Sequence, residues 1–153
     1  MEADEAIKDI LERYRTVAVV GLSRNPSKES YGVAQYLQGA GYRVVPVNPV
    51  AEEILGEKSY KSLLELPEEL KRSVEIVDLF RPSEVVPSFV EDAIKLREEY
   101  GNPRVIWMQL GIVNENAAEK ARNAGMTVIM DRRIKVEHQK LLSKESASLR
   151  HPF

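Results

Sequence analysis

Short apolar runs alternate with helix-forming segments along this chain, and this alternation limits the possible fold more than any other feature of the sequence. The runs are rich in Val and Ile and end at Gly, Pro or a polar residue; they cover residues 16–21, 42–47, 74–80, 105–108 and 126–130. Continuous apolar strands of this length are typical of a sheet that is buried on both faces. Because helices separate the runs, the pattern predicts βαβ units and a three-layer, doubly wound α/β fold with a parallel sheet of about five strands.

The segments between the runs have apolar residues at helical spacing or clear start and stop signals. We predict helices over residues 3–15, 30–40, 84–100, 114–124 and 134–142, and a short extended piece with a short helix over 55–66. Ser83 and Asn114 are expected to cap the third and fourth of these helices. Pro46 cannot donate a hydrogen bond within a central strand, so the strand that contains it is expected at an edge of the sheet.

The length and apolar content of the chain suit one domain. The sequence has 153 residues, of which 43% are apolar, and a chain of this size can bury a sizeable core. We therefore predict a single domain over residues 1–153, with a frayed tail over residues 143–153. No apolar run approaches the roughly 20 residues of a membrane helix, and the acidic start does not resemble a signal peptide. The expected location is cytoplasmic, without membrane contact.

The charge and the rare residue types exclude several functional classes. The chain has 22 Lys and Arg against 24 Asp and Glu, a net charge of −2, whereas a general nucleic-acid binder normally carries a basic excess. Nucleic acid is therefore not an expected partner. The absence of cysteine removes disulfides, thiolate ligands and cysteine nucleophiles, and two histidines make a multi-histidine metal site improbable. No metal is expected.

The loop after the first apolar run has the composition of a phosphate site. Ligands of doubly wound sheets bind beyond the carboxyl ends of the strands, and a helix N-terminus with free amides attracts anions. This loop combines a glycine, two serine hydroxyls and two cations ahead of a predicted helix. Its candidate binding residues are Gly21, Ser23, Arg24, Pro26, Ser27 and Lys28. The alternative is an ordinary polar loop with solvated cations.

Two nucleotide-binding patterns are absent from the chain. There is no Gly-x-Gly-x-x-Gly, and Asn48 follows the second run where a dinucleotide-binding protein places an acid for the ribose hydroxyls. NAD is therefore disfavoured as a ligand. The P-loop pattern is missing as well, which argues against a standard NTPase.

Three further loops place polar groups and rigid residues at the same predicted edge. Asn48-Pro49 and Arg81-Pro82 follow the second and third runs and could wall an adenine and hold its ribose, although prolines also commonly do no more than end strands. Gln109 to Gly111, after the fourth run, adds an amide and a glycine. Trp107 lies within the fourth run and is interpreted as a core residue.

The loop after the last run is locally positive. Residues 131–140 contain four cations against two acids, which suits an anionic ligand, and Arg132 and Arg133 are candidate binding residues. Glu137 and His138 could form an acid–base pair, but adjacent residues of a helix point in different directions. We therefore favour packing or hydrogen bonding as the role of His138, and we assign no catalytic residue.

The loops and strands together resemble a known family. The segments VAVVGLSRNPSKES, VVPVNP, VDLFRPSE, WMQLGI and MDRRIKVEH resemble those of small single-domain CoA-binding proteins, from about Thr16 to Leu142. Such proteins are similar to the N-terminal CoA-binding domain of the succinyl-CoA synthetase α-subunit and of ADP-forming acyl-CoA synthetases. The resemblance implies a Rossmann-like sheet that binds coenzyme A at its carboxyl edge, through the candidate residues named above.

The resemblance also has limits. The family's last motif is commonly Asp-Arg-Cys followed by Glu-His, and Arg133 replaces the cysteine here. A mixed disulfide with CoA is therefore not expected, and the phosphorylated histidine of the synthetases lies in a separate domain that is not carried over. The leading hypothesis is a non-catalytic module that binds CoA or an acyl-CoA as a carrier, sensor or accessory subunit, with no protein partner identified. The alternatives are an acyl-CoA-handling enzyme that uses His138 and Glu137, and a binder of another adenine nucleotide.

Overall fold

The computed structural model describes residues 4–143 of the chain. Its helices are α1 Asp4–Arg13, α2 Glu29–Gly39, α3 Glu68–Ser73, α4 Val86–Tyr100, α5 Glu115–Asn123 and α6 Ile134–His138. Its strands are β1 Thr16–Val20, β2 Arg43–Val47, β3 Glu53–Ile54, β4 Glu57–Lys58, β5 Ile76–Leu79, β6 Val105–Met108 and β7 Thr127–Ile129. Two 3₁₀ turns, Leu63–Glu65 and Ser83–Val85, and a π-helical turn, Gln139–Ser143, complete the described elements.

The main sheet has five strands in the order β2-β1-β5-β6-β7, and all its neighbouring strands are parallel. This confirms the predicted Rossmann-like α/β fold, and β2, which contains Pro46, lies at an edge as predicted. From β1 the chain first adds a strand on one side and then continues from β5 on the other side. The order therefore reverses between β1 and β5, and this switch point is where open parallel sheets bind ligands.

Apolar side chains cover both faces of the sheet and so divide the molecule into three layers. On one face, alternate residues of the central strands pack against α4 and α5; they include Ala18, Val20, Val77, Leu79, Ile106 and Met108. On the other face, α1, α2 and α6 cover Val17, Val19, Ile76, Val105 and Trp107. Trp107 is fully buried, in agreement with its interpretation as a core residue.

The helix boundaries differ from the sequence-based predictions in several places. Ser83 does not cap α4: it begins a separate 3₁₀ turn, and its hydroxyl accepts a hydrogen bond from the Val113 amide at 3.0 Å. Asn114 caps α5 as predicted, since its side chain accepts a hydrogen bond from the Ala117 amide at 3.0 Å. The short helix α3 was not predicted. Apart from Ser143, the predicted frayed tail lies outside the described residues.

The segment after β2 forms a small hairpin rather than a single extended piece. Strands β3 and β4 pair in antiparallel register, and Tyr60 then returns beside Val47 in an isolated parallel bridge. This hairpin extends the carboxyl edge of the sheet beyond β2. Within residues 4–143, no helix has the length and apolar character that crossing a membrane requires.

Candidate functional site

Gly21 brings the first and third loops together at the switch point. Its φ is 85°, and its amide donates to the Val47 carbonyl at 3.0 Å. A Cβ atom at this position would lie 2.4 Å from the Phe80 carbonyl oxygen and 2.9 Å from Cδ of Arg81. Both the positive φ and this close approach require glycine. The end of β1 and the end of β5 therefore meet directly below the predicted phosphate site.

Side chains of the first loop hold its own backbone. The Ser23 amide donates to the Ser30 hydroxyl at 2.9 Å, and the Ser23 hydroxyl accepts from the Asn25 amide at 3.0 Å. The Asn25 carboxamide oxygen accepts from both the amide and the hydroxyl of Ser27, at 3.0 and 2.9 Å. The two candidate serines therefore shape the loop in this structure, and Pro26 lies exposed between them.

The first loop ends at the N-terminus of α2. Lys28 is the N-cap residue of that helix, and its side chain makes no capping hydrogen bond. The helix begins at Glu29, at the carboxyl edge of the sheet, so its first-turn amides and its positive dipole end lie beside the loop. This arrangement is the one that favours an anion at a helix N-terminus.

Asn48 joins the second loop to the first. Its Nδ2 atom donates to the Leu22 carbonyl at 2.9 Å, and its Oδ1 atom accepts from the amides of Val50 and Ala51 at 2.8 and 3.0 Å. The position that carries an acid in dinucleotide-binding proteins therefore fixes loop geometry here. Pro49, directly after it, is exposed at the rim.

Three candidate cations remain unpaired at this part of the edge. Arg24, Lys28 and Arg81 are exposed, and none of their side chains takes part in an ion pair or hydrogen bond with another described residue. Arg81 lies over Gly21, and Pro82 next to it is exposed as well. Positive charge without an internal partner is available to an anionic ligand.

The two cations of the last loop are already paired. Nη1 of Arg132 lies 2.8 Å from Oε1 of Glu137 and 3.8 Å from a carboxylate oxygen of Asp4. Nε of Arg133 lies 3.1 Å from Oε1 of Glu29. Most of the positive charge that the sequence predicts for residues 131–140 is therefore neutralised within the fold.

The Gln109 side chain lies beneath the edge rather than on it. It is buried, its Nε2 atom donates to Oδ1 of Asp78 at 2.5 Å, and its Oε1 atom accepts from the Ile134 amide at 3.3 Å. The Gln109 amide therefore does not face the rim, where the sequence analysis expected it. Gly111 is exposed, and its amide donates to Oδ1 of Asp131 at 2.7 Å, which joins the loops after β6 and β7.

Asp78 is a buried acid that the sequence analysis missed. It lies in the central strand β5 and is fully buried. Burial raises the pKa of its carboxyl to about 8, and the hydrogen bond from Gln109 opposes that rise. The side chain is therefore mainly protonated at neutral pH, and among the described residues its Oδ2 atom has no hydrogen-bond partner. The run 74–80 contains two acids, Glu75 and Asp78, and the position of Asp78 between Val77 and Leu79 was the signal in the sequence.

His138 and Glu137 have separate partners. Nδ1 of His138 lies 2.6 Å from the Tyr36 hydroxyl, and the ring makes edge contacts with Tyr36 and Tyr42. Burial lowers the pKa of His138, and the charge of Arg15 lowers it further. Glu137 is bound to Arg132 instead. These contacts agree with the interpretation of His138 as a packing and hydrogen-bonding residue. In the part of the chain that the structure describes, no group of His, Asp and Glu side chains is placed to hold a metal ion.

Comparison with known proteins identifies relatives over most of the chain. The model of a family described as "CoA binding domain" matches residues 15–139. The Bacillus subtilis protein YneT is 42% identical over 132 residues, which cover 86% of this chain and 91% of that protein. An ADP-forming acetate–CoA ligase of Methanocaldococcus jannaschii is 32% identical over 81 residues, 53% of this chain but 11% of the ligase.

Solved structures have the same fold. A hypothetical protein from Pyrococcus horikoshii OT3 superposes with a TM-score of 0.83 at 39% identity, covering 92% of this chain and 93% of that one. A protein from Thermus thermophilus gives a TM-score of 0.81 at 34% identity, covering 92% of this chain and all of the other, 100%. Since the family model spans residues 15–139, which include all five loops at the carboxyl edge, this chain belongs to the family of CoA-binding domains.

Proposed function

We propose that this chain binds coenzyme A or an acyl-CoA at the carboxyl edge of its sheet, as a non-catalytic carrier, sensor or accessory module. The observation that carries the proposal is the family match, because it includes every loop of that edge. The sheet topology supports the same place, since the strand order reverses between β1 and β5, where Gly21 and Arg81 meet.

The diphosphate of CoA is assigned to the loop of residues 21–28. Its negative charge suits the N-terminus of α2, where Lys28 leaves the first-turn amides without a side-chain cap. The exposed, unpaired side chains of Arg24 and Lys28 supply charge-assisted hydrogen bonds, and Arg81 lies across the gap above Gly21.

The adenosine part of CoA is assigned to the neighbouring loops. Pro49 and Pro82 are exposed and rigid, so they offer apolar walls for a base on either side of the switch point. Asn48 holds the second loop against the first and so fixes the spacing of these walls. Gly111 stays a candidate contact, whereas Gln109, Arg132 and Arg133 are assigned a supporting role because their polar groups already bind other residues.

The contacts of the candidate acid–base pair support a non-catalytic role. His138 is hydrogen-bonded to Tyr36, and Glu137 is paired with Arg132, so neither faces the other as a general base would face its partner. The chain also lacks cysteine and the Gly-x-Ser-x-Gly pattern of a nucleophile elbow. Incubation with several acyl-CoAs should therefore release no free thiol. Sustained release that disappears in His138→Ala would favour the enzyme instead.

Isothermal titration calorimetry tests the ligand. CoA should bind more tightly than NAD or ATP, because NAD lacks the acidic ribose contact it normally uses and ATP finds no P-loop. Acetyl-CoA should bind comparably to CoA if the adenosine and diphosphate supply most of the contacts. NAD or ATP binding as tight as CoA binding would overturn the proposal and favour a different adenine nucleotide.

A further inference from the structure

A cavity of about 710 Å³ lies beyond the end of β2 and begins at Pro49 of the second loop. One wall is formed by residues 49–53, which follow β2, and the other by Lys58, Ser59 and Lys61, which follow the β3–β4 turn. The Ser59 amide donates to the Glu52 carbonyl at 2.9 Å, and the Tyr60 amide donates to the Pro46 carbonyl at 3.0 Å. These bonds hold the two walls together, and the volume is within the range of small-molecule sites.

Ser59 gives the cavity an unpartnered polar group. The residue is 8% exposed, and its hydroxyl finds no hydrogen-bond partner among the described residues. A buried hydroxyl without a partner is costly, and such groups in proteins normally have one. Since Ser59 lines the cavity, a ligand in the cavity would supply that partner.

Two lysines and two glutamates line the same cavity without pairing. Lys58, Lys61, Glu52 and Glu53 are all exposed, and no ion pair among the described residues involves any of them. Lys58 lies over the Tyr60 ring, with its Nζ atom 5.5 Å from the ring centroid. The charges therefore stay available, and their mixture suits a ligand with an anionic group and hydrogen-bond donors.

The cavity is adjacent to the proposed diphosphate loop. Its wall begins at Pro49, and the preceding residue, Asn48, donates to the Leu22 carbonyl of the first loop at 2.9 Å. In CoA the diphosphate and the 3′-phosphate are attached to the same ribose, so their two sites on the protein must be neighbours. The ribose also carries a free hydroxyl, and the adenine carries an amino group. Both groups can donate hydrogen bonds to carboxylates.

From these observations we propose that the cavity beyond β2 binds the 3′-phosphate of CoA through Lys58, Ser59 and Lys61, and so distinguishes CoA from nucleotides that lack this group. This inference rests on the proposed binding of CoA. It assigns the 3′-phosphate to the hairpin β3–β4, whereas the diphosphate stays with Arg24 and Lys28. The carboxylates of Glu52 and Glu53 then face the donor groups of the adenosine rather than the phosphate.

Calorimetry with CoA and 3′-dephospho-CoA tests this assignment. The wild-type protein should bind CoA at least about tenfold more tightly than 3′-dephospho-CoA, because 3′-dephospho-CoA lacks the charge-assisted contact of the 3′-phosphate. The double variant Lys58→Ala/Lys61→Ala should bind the two ligands about equally. Lys95→Ala on α4, which removes an exposed lysine remote from the cavity, is the matched control and should keep the wild-type preference.

Ser59→Ala separates a binding role from a structural one. Removing an unsatisfied buried hydroxyl should leave the unfolding temperature equal or higher, while the preference for CoA over 3′-dephospho-CoA falls. A preference that persists in both cavity variants would place the 3′-phosphate elsewhere and overturn the inference.

The same titrations distinguish a failure of the cavity assignment from a failure of the proposed function. Equal binding of the two ligands by the wild-type protein would overturn the cavity assignment and leave CoA binding intact. Binding of neither ligand would overturn both. Circular dichroism of each variant confirms that the fold is retained.

Discussion

The two halves of the carboxyl edge carry similar residues in the sequence but use them differently. On the side of β2, β1 and β5, the cations Arg24, Lys28 and Arg81 are exposed and unpaired among the described residues. On the side of β6 and β7, Arg132 and Arg133 are bound to carboxylates of other elements. A basic residue at the carboxyl edge of a sheet is therefore not by itself a ligand contact, because the fold neutralises some of these charges, as it does for Arg132 and Arg133.

The reason for the difference lies in what packs against each half. The loop after β7 lies against α1, α2 and α6, and these helices supply Asp4, Glu29 and Glu137. The loop after β1 meets another loop, at Gly21 and Phe80, and within residues 4–143 no acid from a helix pairs with its cations. The first half thus keeps its positive charge available for the ligand site that we propose, whereas the cations of the second half pair with acids of the helices that cover the sheet.

The largest loss of stability is expected where the two loops of the first half touch. Gly21→Ala places a Cβ atom 2.4 Å from the Phe80 carbonyl oxygen at a φ of 85°, so the strain and the clash should together cost about 3 kcal/mol or more of unfolding free energy. Gly41→Ala is the matched control, because its φ is 94° but nothing lies within 4 Å of the added atom. Urea denaturation measures both; equal losses would mean that the close approach is unimportant.

A pH-dependent change in stability is expected at Asp78, the buried acid of β5, whose carboxyl accepts a hydrogen bond from Gln109. Its pKa of about 8 exceeds the ordinary value of 3.8, so the folded state keeps a proton that the unfolded state has lost. The protonated Asp78 carboxyl makes its full contribution to the free energy of unfolding below about pH 4, and this contribution is lost as the pH rises to about 8. The free energy of unfolding of Asp78→Asn, relative to that of the wild type, should therefore increase by about 1.4 kcal/mol per pH unit across that window. Denaturation curves at several pH values provide the measurement, and parallel pH profiles would contradict the burial account.

A smaller loss of stability is expected from the paired cation. Arg132→Ala leaves Glu137 buried, with Lys140 at 3.9 Å as its remaining ion-pair partner among the described residues, and should lower the free energy of unfolding by about 2 kcal/mol. The affinity for CoA should change little. Thermal unfolding and calorimetry on the same sample separate the two roles, and the reverse outcome, lost affinity with unchanged stability, would move Arg132 into the binding site.

The smallest change in stability, but a clear change in binding, is expected from the free cations. Arg24→Ala and Lys28→Ala should each weaken CoA binding about tenfold or more, since charge-assisted contacts contribute roughly 1.5–3 kcal/mol. Stability should stay nearly constant, because solvated charges add little to it. Arg133→Ala is the comparison in the second half. Wild-type affinity and unchanged salt dependence in both first-half variants would exclude the phosphate site.

The fold was largely predictable because the apolar runs fix strands that are buried on both faces. Pro46 even placed its strand at the edge. Local signals were weaker where partners are distant in sequence: Ser83 has the composition of a helix cap, yet its hydroxyl binds Val113, thirty positions along the chain. Ion pairs such as Arg133 with Glu29 and the burial of Gln109 against Asp78 depend on tertiary packing, which periodicity does not contain.

Hydrogen–deuterium exchange with and without CoA tests the contrast between the halves most directly. CoA should protect amides of residues 21–32 and of the loops after β2 and β5, while residues 127–138 keep their exchange rates. The protection should be reduced in Arg24→Ala at the same CoA concentration. Protection confined to the loops after β6 and β7, or no protection at saturating CoA, would contradict a ligand site at the switch point.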